Sequence, residues 1–312
     1  GVCAPARRTR PAAARAAEGE VARRCGPGGL QLELDRTDPG RSAMRAEWAG
    51  PGSIVFEERT AESGLVRVYS APASGGGAWR RLRFNDSTEQ SVVLLGPDGA
   101  PRRDALAFGY LKSLAAVGTC TAYALGRTQP LRVLILGVGG GALPGWFAAK
   151  LGAVVDAVEL DGGVLRAAGE SMGLPAGAVS RAEGAVACAA DAAARDIADG
   201  PLLRVYCCDG AAFVEAAAAV GDVAYDVAIV DVFDGAGATP GAFLGESFAS
   251  ALGGLAHCAV ANLACPVAMW EDVHEFNAPH VGALAAAWRR GFGPDARVWS
   301  VRVAEGQNVV PA

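Results

Sequence analysis

Residues 131–142 read LRVLILGVGGGA, an apolar run that ends in a cluster of glycines. The run Leu131–Leu136 predicts a buried β-strand, and the residues after Gly141 predict a helix that reaches Leu151. Glycine lets the backbone turn tightly and approach a ligand closely, because it has no Cβ atom. The stretch therefore predicts a strand, a glycine loop and a helix, with Gly137, Gly139 and Gly141 as ligand-binding candidates.

An acidic residue ends the next predicted strand. That strand covers Val154–Leu160, and Glu159 lies 22 residues after Gly137. A carboxylate at this position can accept hydrogen bonds from two ribose hydroxyls, so the glycine loop and Glu159 together favour nucleoside binding. The neighbouring Asp161 is better placed as the N-cap of a following helix.

Two further strand ends carry acids. Asp209 and Gly210 follow the predicted strand Leu202–Cys207, and Asp209 is a candidate for an adenine amino group as well as for a helix cap. The strand Tyr225–Asp231 places Asp231 at the carboxyl edge of the sheet, followed by Asp234. A carboxylate there can hold an attacking amine or accept its proton, so we assign both acids to catalysis.

The remaining pattern completes an α/β fold. Apolar strands alternate with helices, which indicates a parallel sheet covered on both faces. Further helices are predicted over 164–172, 211–220, 242–252 and 281–290, and further strands over 258–263, 298–303 and 308–310. Residues 176–200, rich in Ala, Gly and Asp, interrupt this order and are interpreted as a surface insertion.

A smaller unit precedes the α/β unit. Four short β-prone runs predict an antiparallel sheet, and they cover 54–59, 65–70, 79–84 and 90–95. Asp104 is predicted to cap a helix over Ala105–Val117. We therefore divide the chain into residues 51–128, a small β domain with a linking helix, and residues 129–312, a Rossmann-like nucleoside-binding domain.

Residues 1–50 show no sustained period and are expected to be disordered or transit-like. They hold nine Arg against six acids, a net charge of +3 that leaves about −8 for the remainder, since the chain carries −5 in total. The first 17 residues are rich in Arg and Ala and contain no acid, as in organelle transit peptides, although such peptides are usually richer in Ser. We expect an intracellular protein, in a chloroplast or mitochondrion if this segment directs import and otherwise in the cytoplasm.

Charge and composition exclude several classes of partner. An acidic body argues against a nucleic-acid groove, which needs clustered positive charge. No apolar run approaches the roughly 20 residues of a membrane helix. The eight cysteines form no CxxC pair and the three histidines lack metal-ligand spacing, so we expect reduced thiols and no metal site.

Four ordered motifs resemble the spermidine synthase family of polyamine aminopropyltransferases. VLILGVGGGALP is similar to its glycine loop, DAVELD to its ribose-binding strand end, CDG to its adenine-side acid and YDVAIVDVFD to its catalytic loop. The resemblance runs from about residue 53 to 310. It implies a Rossmann-like S-adenosylmethionine-dependent methyltransferase fold with a small N-terminal antiparallel β domain. It also implies that Gln90 contacts the nucleoside and Asp104 the amino end of the donor, and it allows a homodimer.

Two departures from the family direct the functional expectation. The family's Tyr-His-Glu stretch is Phe108-Gly109-Tyr110 here, and its Asp-Ser-Ser-Asp-Pro loop is Asp231-Val232-Phe233-Asp234-Gly235. The chain resembles the divergent, methyltransferase-like branch, in which LxFxY (106–110) and an Asn-Leu pair after the fifth strand (Asn262-Leu263) recur.

Three functions remain open. We expect methyl transfer from S-adenosylmethionine to an unknown amine, peptide or protein acceptor. The alternatives are aminopropyl transfer from decarboxylated S-adenosylmethionine, as in polyamine biosynthesis, and a catalytically silent nucleoside-binding or oligomerising module. An NAD dehydrogenase is disfavoured, because the CDG and DVFD motifs add nothing to hydride transfer.

Overall fold

The computed structural model describes residues 31–33, 52–85, 88–195, 198, 200–221, 224–234, 238–264, 273–298, 300–302 and 308–311. The strands are β1 (Gln31–Glu33), β2 (Ser53–Thr60), β3 (Gly64–Pro72), β4 (Ala78–Phe84), β5 (Thr88–Leu95), β6 (Arg132–Leu136), β7 (Val154–Glu159), β8 (Leu203–Cys207), β9 (Tyr225–Val230), β10 (Ala256–Ala261), β11 (Leu263–Ala264), β12 (Ser300–Arg302) and β13 (Asn308–Pro311). The helices are α1 (Gly109–Ala124), α2 (Ala142–Leu151), α3 (Gly162–Ser171), α4 (Ala185–Ala193), α5 (Gly210–Val220), α6 (Glu246–Leu255) and α7 (Val273–Phe292), with 3₁₀ turns at Ala176–Ala178 and Gly241–Phe243.

Five parallel strands form the central sheet, in the order β10-β9-β6-β7-β8. Strands β6, β7 and β9 are almost wholly buried, as expected for a parallel sheet with helices on both faces. The chain reverses direction across the sheet between β6 and β9, so the carboxyl ends of these two strands flank the switch point. Ligands bind at such points in open α/β sheets. The predicted strands of this sheet and the α/β fold are confirmed.

The predicted antiparallel sheet is also confirmed. It consists of β2, β3, β4 and β5 in sequence order. Its turn at Glu62–Ser63 is held against the parallel-sheet unit, because the Thr60 hydroxyl donates to the Asp161 carboxylate at 2.6 Å. A second tie lies on the surface, where the Arg166 guanidinium pairs with the Glu58 carboxylate.

Helix α1 differs from the prediction over Ala105–Val117. It begins after Phe108, which provides no side-chain cap, and it continues to Ala124. The predicted cap at Asp104 is wrong, because this exposed carboxylate pairs with the guanidinium of Arg102. Helix α1 packs on β9 and β10, and a Cβ atom on Gly118 would come within 3.0 Å of the Val227 side chain. The helix that we grouped with the small sheet thus covers the parallel sheet.

Residues 176–200, which we interpret as a surface insertion, contain a helix that lies between α3 and β8 in the chain. Residues 176–178 form a 3₁₀ turn, and helix α4 packs against α5 with Cys188, Ala189 and Ala192 buried. Small side chains let this helix approach closely, although they give the sequence no clear apolar period. The segment therefore belongs to the layer that covers the sheet.

A buried ion cluster ties this segment to the sheet. The Asp156 carboxylate on β7 is fully buried and pairs with Arg195 at 2.5 Å and with Arg132 at 3.2 Å. The Tyr225 hydroxyl donates to it at 3.1 Å. Buried charges are tolerated when they are paired and hydrogen-bonded, as they are here. The contacts made by the Arg195 side chain hold this end of the segment against β7.

A third small sheet joins residues 31–33 to the later part of the chain, with the strand order β1-β12-β13-β11. Strand β1 pairs in parallel with β12. The expectation that residues 1–50 are unstructured is therefore wrong for 31–33, since the chain finds its partner there about 270 residues later. The transit-like composition of 1–30 lies outside the described residues.

Helix α7 is longer than the predicted 281–290. No helix within the described ranges is long and apolar enough to span a membrane.

Candidate active site

A cavity of about 260 Å³ lies at the carboxyl edge of the parallel sheet. The ends of β6, β7, β8 and β9 form its floor, and the small antiparallel sheet and the start of α1 form its roof. The lining includes eight of the ten site residues predicted from the sequence: Gln90, Gly137, Gly139, Glu159, Asp209, Gly210, Asp231 and Asp234. The topology thus brings together residues that lie far apart in the chain.

The glycine loop joins β6 to α2. Gly137 has φ of 91°, and a Cβ atom there would lie less than 3.0 Å from the backbone oxygen of Asp231. Gly139 has φ of 51° and faces Ser91 on the roof, where a Cβ atom would lie 3.2 Å from the Ser91 Cβ. Both positions require glycine, because of the positive φ and the close approach of a neighbour. The packed loop presents Gly137 and Gly139 at the cavity wall.

Gly141 and Asp104 do not line the cavity. Gly141 occupies the N-cap position of α2 with φ of 78°, so its role in this structure is to let the helix begin. Asp104 lies on the exposed surface in its ion pair with Arg102, which also lowers the pKa of the Asp104 carboxyl. The structure therefore places the acid expected at the donor's amino end away from the cavity.

Glu159 lies at the end of β7 and holds the glycine loop. One carboxylate oxygen accepts from the backbone N–H groups of Val138 at 3.0 Å and Gly139 at 3.3 Å, and the other accepts from Asp161 N–H at 3.2 Å. Burial raises the pKa of Glu159, and these three hydrogen bonds oppose the rise. A carboxylate has about four acceptor sites, so at least one remains for a ligand hydroxyl.

Two neighbouring acids cap helices. The Asp161 carboxylate accepts from Gly163 N–H at 2.8 Å, which confirms the predicted N-cap of α3. Burial would raise the pKa of Asp161, but the hydrogen bonds from Thr60 and Gly163 outweigh it and the pKa lies below its usual value. The Asp209 carboxylate accepts from Ala212 N–H at 2.8 Å, so its predicted capping role is confirmed as well. Asp209 is exposed to the cavity beside Gly210, where contact with an adenine stays a prediction.

Asp231 occupies the switch point itself. Its backbone N–H donates to Leu136 O on β6 at 2.8 Å, and its carboxylate accepts from the Asn262 amide at 2.8 Å. Burial raises the pKa of Asp231 to about 6, although the hydrogen bond from Asn262 opposes the rise. A carboxyl with a pKa near neutrality is suited to accept a proton and release it again.

Asp234 shapes the loop after β9. Its carboxylate accepts from Ala238 N–H at 2.9 Å, and its own N–H donates to Ala238 O at 2.9 Å. Asp234 is exposed at the cavity edge, so the structure gives it a definite role in closing the loop.

The lining is acidic. Its charged residues, within the part of the chain that the structure describes, are all carboxylates: Glu62, Glu159, Asp161, Asp209, Asp231 and Asp234. A concave site with charge of one sign concentrates ligands of the opposite sign. No group of three or more His, Cys, Asp or Glu side chains in the described ranges is arranged to hold a metal ion. The charge of the lining favours a cationic ligand.

Sequence reasoning missed several lining residues. Glu62 and Ser63 enter from the turn between β2 and β3, and Tyr110 enters from α1, where its ring stacks on Phe108 with centroids 5.4 Å apart. Asn262 was noted only as part of a family pattern. The available signal was its position, a polar residue directly after a buried strand at the same sheet edge as Asp231.

No family model matches the chain, and no curated protein matches it. Its structure is similar to that of a probable spermidine synthase from Corynebacterium glutamicum, with a TM-score of 0.51 and 18% identity over 84% of this chain and 79% of that chain. Human methyltransferase-like protein 13 in complex with SAH matches with a TM-score of 0.46 and 22% identity over 65% of this chain and 81% of that chain. Spermidine synthase from Thermotoga maritima matches with a TM-score of 0.47 and 16% identity over 83% and 71% of the two chains. The first of these similarities shows that the chain shares the Rossmann-like fold, with its small antiparallel sheet, that the motifs implied.

Proposed function

We propose that this chain is a transferase that binds S-adenosylmethionine in the cavity and transfers its methyl group to a nucleophilic acceptor. The observation that carries the proposal is the placement of Glu159. Its carboxylate is bonded to the glycine loop and borders a cavity of nucleoside size, next to the switch point. This arrangement suits a ribose at Glu159 and an adenine towards Asp209.

The charge of the lining supports a sulfonium donor. The donor carries a fixed positive charge on sulfur, and the lining residues that the structure describes contribute carboxylates and no Lys, Arg or His. The attraction also raises the local concentration of the donor relative to its neutral product, the thioether nucleoside. Donor binding and product release are therefore both favoured by the same field.

The chemistry follows from the position of Asp231. The acceptor lone pair attacks the methyl carbon, the carbon–sulfur bond breaks, and sulfur leaves with the bonding pair as a neutral thioether. An amine acceptor gains a positive charge in this step and must lose a proton. Asp231, with a pKa of about 6, is the group at the switch point that receives it. The protein otherwise contributes orientation of the two reactants.

Aminopropyl transfer from decarboxylated S-adenosylmethionine is the second candidate. It is favoured by the absence of a basic side chain among the described lining residues, since the methionine carboxylate of S-adenosylmethionine has no cationic partner there. Asp104 lies outside the cavity, but both donors carry the same amino group, so its position does not distinguish the two reactions. We place methyl transfer first because the chain departs from the aminopropyltransferases at Phe108-Gly109-Tyr110 and in the loop that begins at Asp231.

The nucleoside product distinguishes the two reactions. The protein is incubated with each donor together with a diamine or a lysine-containing peptide, and the nucleoside is identified by mass spectrometry. Methyl transfer releases S-adenosylhomocysteine, and aminopropyl transfer releases methylthioadenosine. Donor binding without either product, across diamine, peptide and protein acceptors, would contradict the transferase and favour the silent module.

A further inference from the structure

Asn262 lies beside Asp231 at the edge of the sheet. It follows β10, and its backbone N–H donates to Val230 O at 2.8 Å, so the residue is fixed in register with the end of β9. Its side chain is 1% exposed, and its amide nitrogen donates to the Asp231 carboxylate at 2.8 Å. Backbone hydrogen bonds therefore hold both residues in place independently of the contact between their side chains.

The other end of the Asn262 amide is available as an acceptor. Its oxygen is buried and has no hydrogen-bond partner among the described residues. Because this acceptor lies beside an acid, it can accept a hydrogen bond from the protonated form of that acid. An amide offers a donor on one end and an acceptor on the other, and rotation about the terminal torsion exchanges them.

We infer that Asn262 is the positioning residue for Asp231 and serves both of its protonation states. The amide donates to Asp231 while the carboxylate is charged. When Asp231 has taken a proton, the amide turns and its oxygen accepts from the new O–H group. The inference rests on the proposed function in one respect only, that the proton comes from the acceptor substrate. The paired geometry itself is present in the free protein.

The surroundings of Asp231 isolate this interaction. The titratable side chains that share the cavity lining are Glu62 from the β2–β3 turn, Tyr110 from α1, Glu159 and Asp161 after β7, Asp209 after β8, and Asp234 on the same loop. Among the described residues, Asn262 alone hydrogen-bonds to the Asp231 carboxylate. Burial raises the pKa of Asp231 and the Asn262 bond opposes it, so loss of the amide leaves burial unopposed.

The test is an NMR titration of the Asp231 carboxyl carbon in the free protein, identified by its loss in Asp231→Asn. We expect a midpoint near 6 in the wild type. In Asn262→Leu, which keeps the volume and removes both polar ends, the midpoint should rise by up to about one pH unit, because the variant loses a bond to the charged carboxylate that is stronger than the bond to the neutral acid. The side-chain N–H signals of Asn262 should shift with the same midpoint as Asp231.

Two further variants make the result decisive. Val260→Ala truncates a fully buried side chain on the same strand, and it should lower the melting temperature without moving the Asp231 midpoint. If Asn262→Leu does not fold, Asn262→Asp replaces it, because it keeps the shape of the side chain. Residues 231 and 262 should then titrate as a coupled pair of carboxyls, with one midpoint above that of the wild type. If the Asn262 variant retains activity, the acid limb of its kcat–pH profile should move to higher pH by the same amount as the Asp231 midpoint.

An unchanged Asp231 midpoint in folded Asn262→Leu, or in Asn262→Asp, would overturn the inference. This readout requires no substrate. A shifted midpoint in a protein that binds no sulfonium nucleoside would therefore uphold the positioning role while refuting the proposed transferase, so the two failures are distinguishable.

Discussion

The backbone carbonyl oxygen of Asp231 lies against Gly137, where a Cβ atom on residue 137 would overlap it. This contact joins the glycine loop after β6 to the end of β9 across the switch point. The Asp231 N–H donates to Leu136 O at the same place, so the backbone of Asp231 is held on both sides. The position of the carboxylate therefore depends on the absence of a side chain at Gly137.

Gly137→Ala should destabilise the protein strongly. The φ of 91° is unfavourable for an L side chain, by roughly 1–2 kcal/mol, and the overlap with backbone adds to this because no flexible group can move aside. We expect a loss of at least 2–3 kcal/mol in the free energy of unfolding by urea denaturation. Gly177→Ala is the control, since it has open space around its Cβ position and should change stability by less than about 1 kcal/mol. Equal stability of the two variants would show that residue 137 and Asp231 are not in contact.

Asp231→Asn should lower turnover while leaving the donor bound. The amide keeps the shape of the carboxyl but cannot take a proton, so the rate of group transfer should fall by about 10²–10⁴-fold. Donor affinity should change little, because the proposed contacts to the nucleoside come from Glu159 and the glycine loop. Asp295→Asn, an exposed carboxylate that does not line the cavity, serves as the control. Wild-type turnover by Asp231→Asn would remove this residue from the mechanism.

The same substitution should stabilise the fold at alkaline pH. The pKa of Asp231 rises from an unfolded value of about 3.9 to about 6, so the folded state binds more protons than the unfolded state within that window. The contribution of the Asp231 carboxyl to the free energy of unfolding is therefore fully present below about pH 4 and is lost as the pH rises through about 6. We expect Asp231→Asn to be more stable than the wild type by about 1–3 kcal/mol at pH 8, with the difference vanishing at pH 4. A difference that is the same at both pH values would contradict the raised pKa.

Much of the floor of the site was predictable from the sequence, because each part is local. Apolar runs specified β6, β7 and β9, and a glycine or an acid at the end of each run marked the edge that borders the cavity. The caps at Asp161 and Asp209 were predictable for the same reason, since a cap depends on residues two or three positions away.

The parts that failed depend on partners distant in sequence. Helix α4 carries small residues without a clear apolar period, and Arg195 is buried only because Asp156 lies on a strand 39 residues earlier. Asp104 had two available partners, a helix start and Arg102, and sequence spacing favoured the wrong one. The third small sheet joins β1 to β12 near the opposite end of the chain, which no local pattern indicates.

The buried ion cluster gives a further prediction. Arg195→Met leaves the fully buried Asp156 with an incomplete set of partners and should cost about 3–5 kcal/mol of unfolding free energy. Arg204→Met removes the partner of Asp191 in a pair whose side chains are 28% and 33% exposed, and should cost at most about 1 kcal/mol. Urea denaturation of both variants measures the contrast. Equal losses would mean that the segment around Arg195 is not anchored through Asp156.

The central claim is that Glu159 and the glycine loop hold a sulfonium nucleoside, and isothermal titration calorimetry tests it most directly. The wild type should bind S-adenosylmethionine or its decarboxylated form, and Glu159→Gln should weaken that binding by about 10–100-fold, the worth of one charged hydrogen bond to ribose. A glutamine amide cannot accept hydrogen bonds from all three backbone N–H groups that Glu159 holds, so this variant could lose stability. A thermal melt therefore checks that Glu159→Gln is folded. Glu170→Gln, on the exposed face of α3, should bind like the wild type. Failure of the wild type to bind either donor, or equal affinity in folded Glu159→Gln, would contradict the assignment of this cavity.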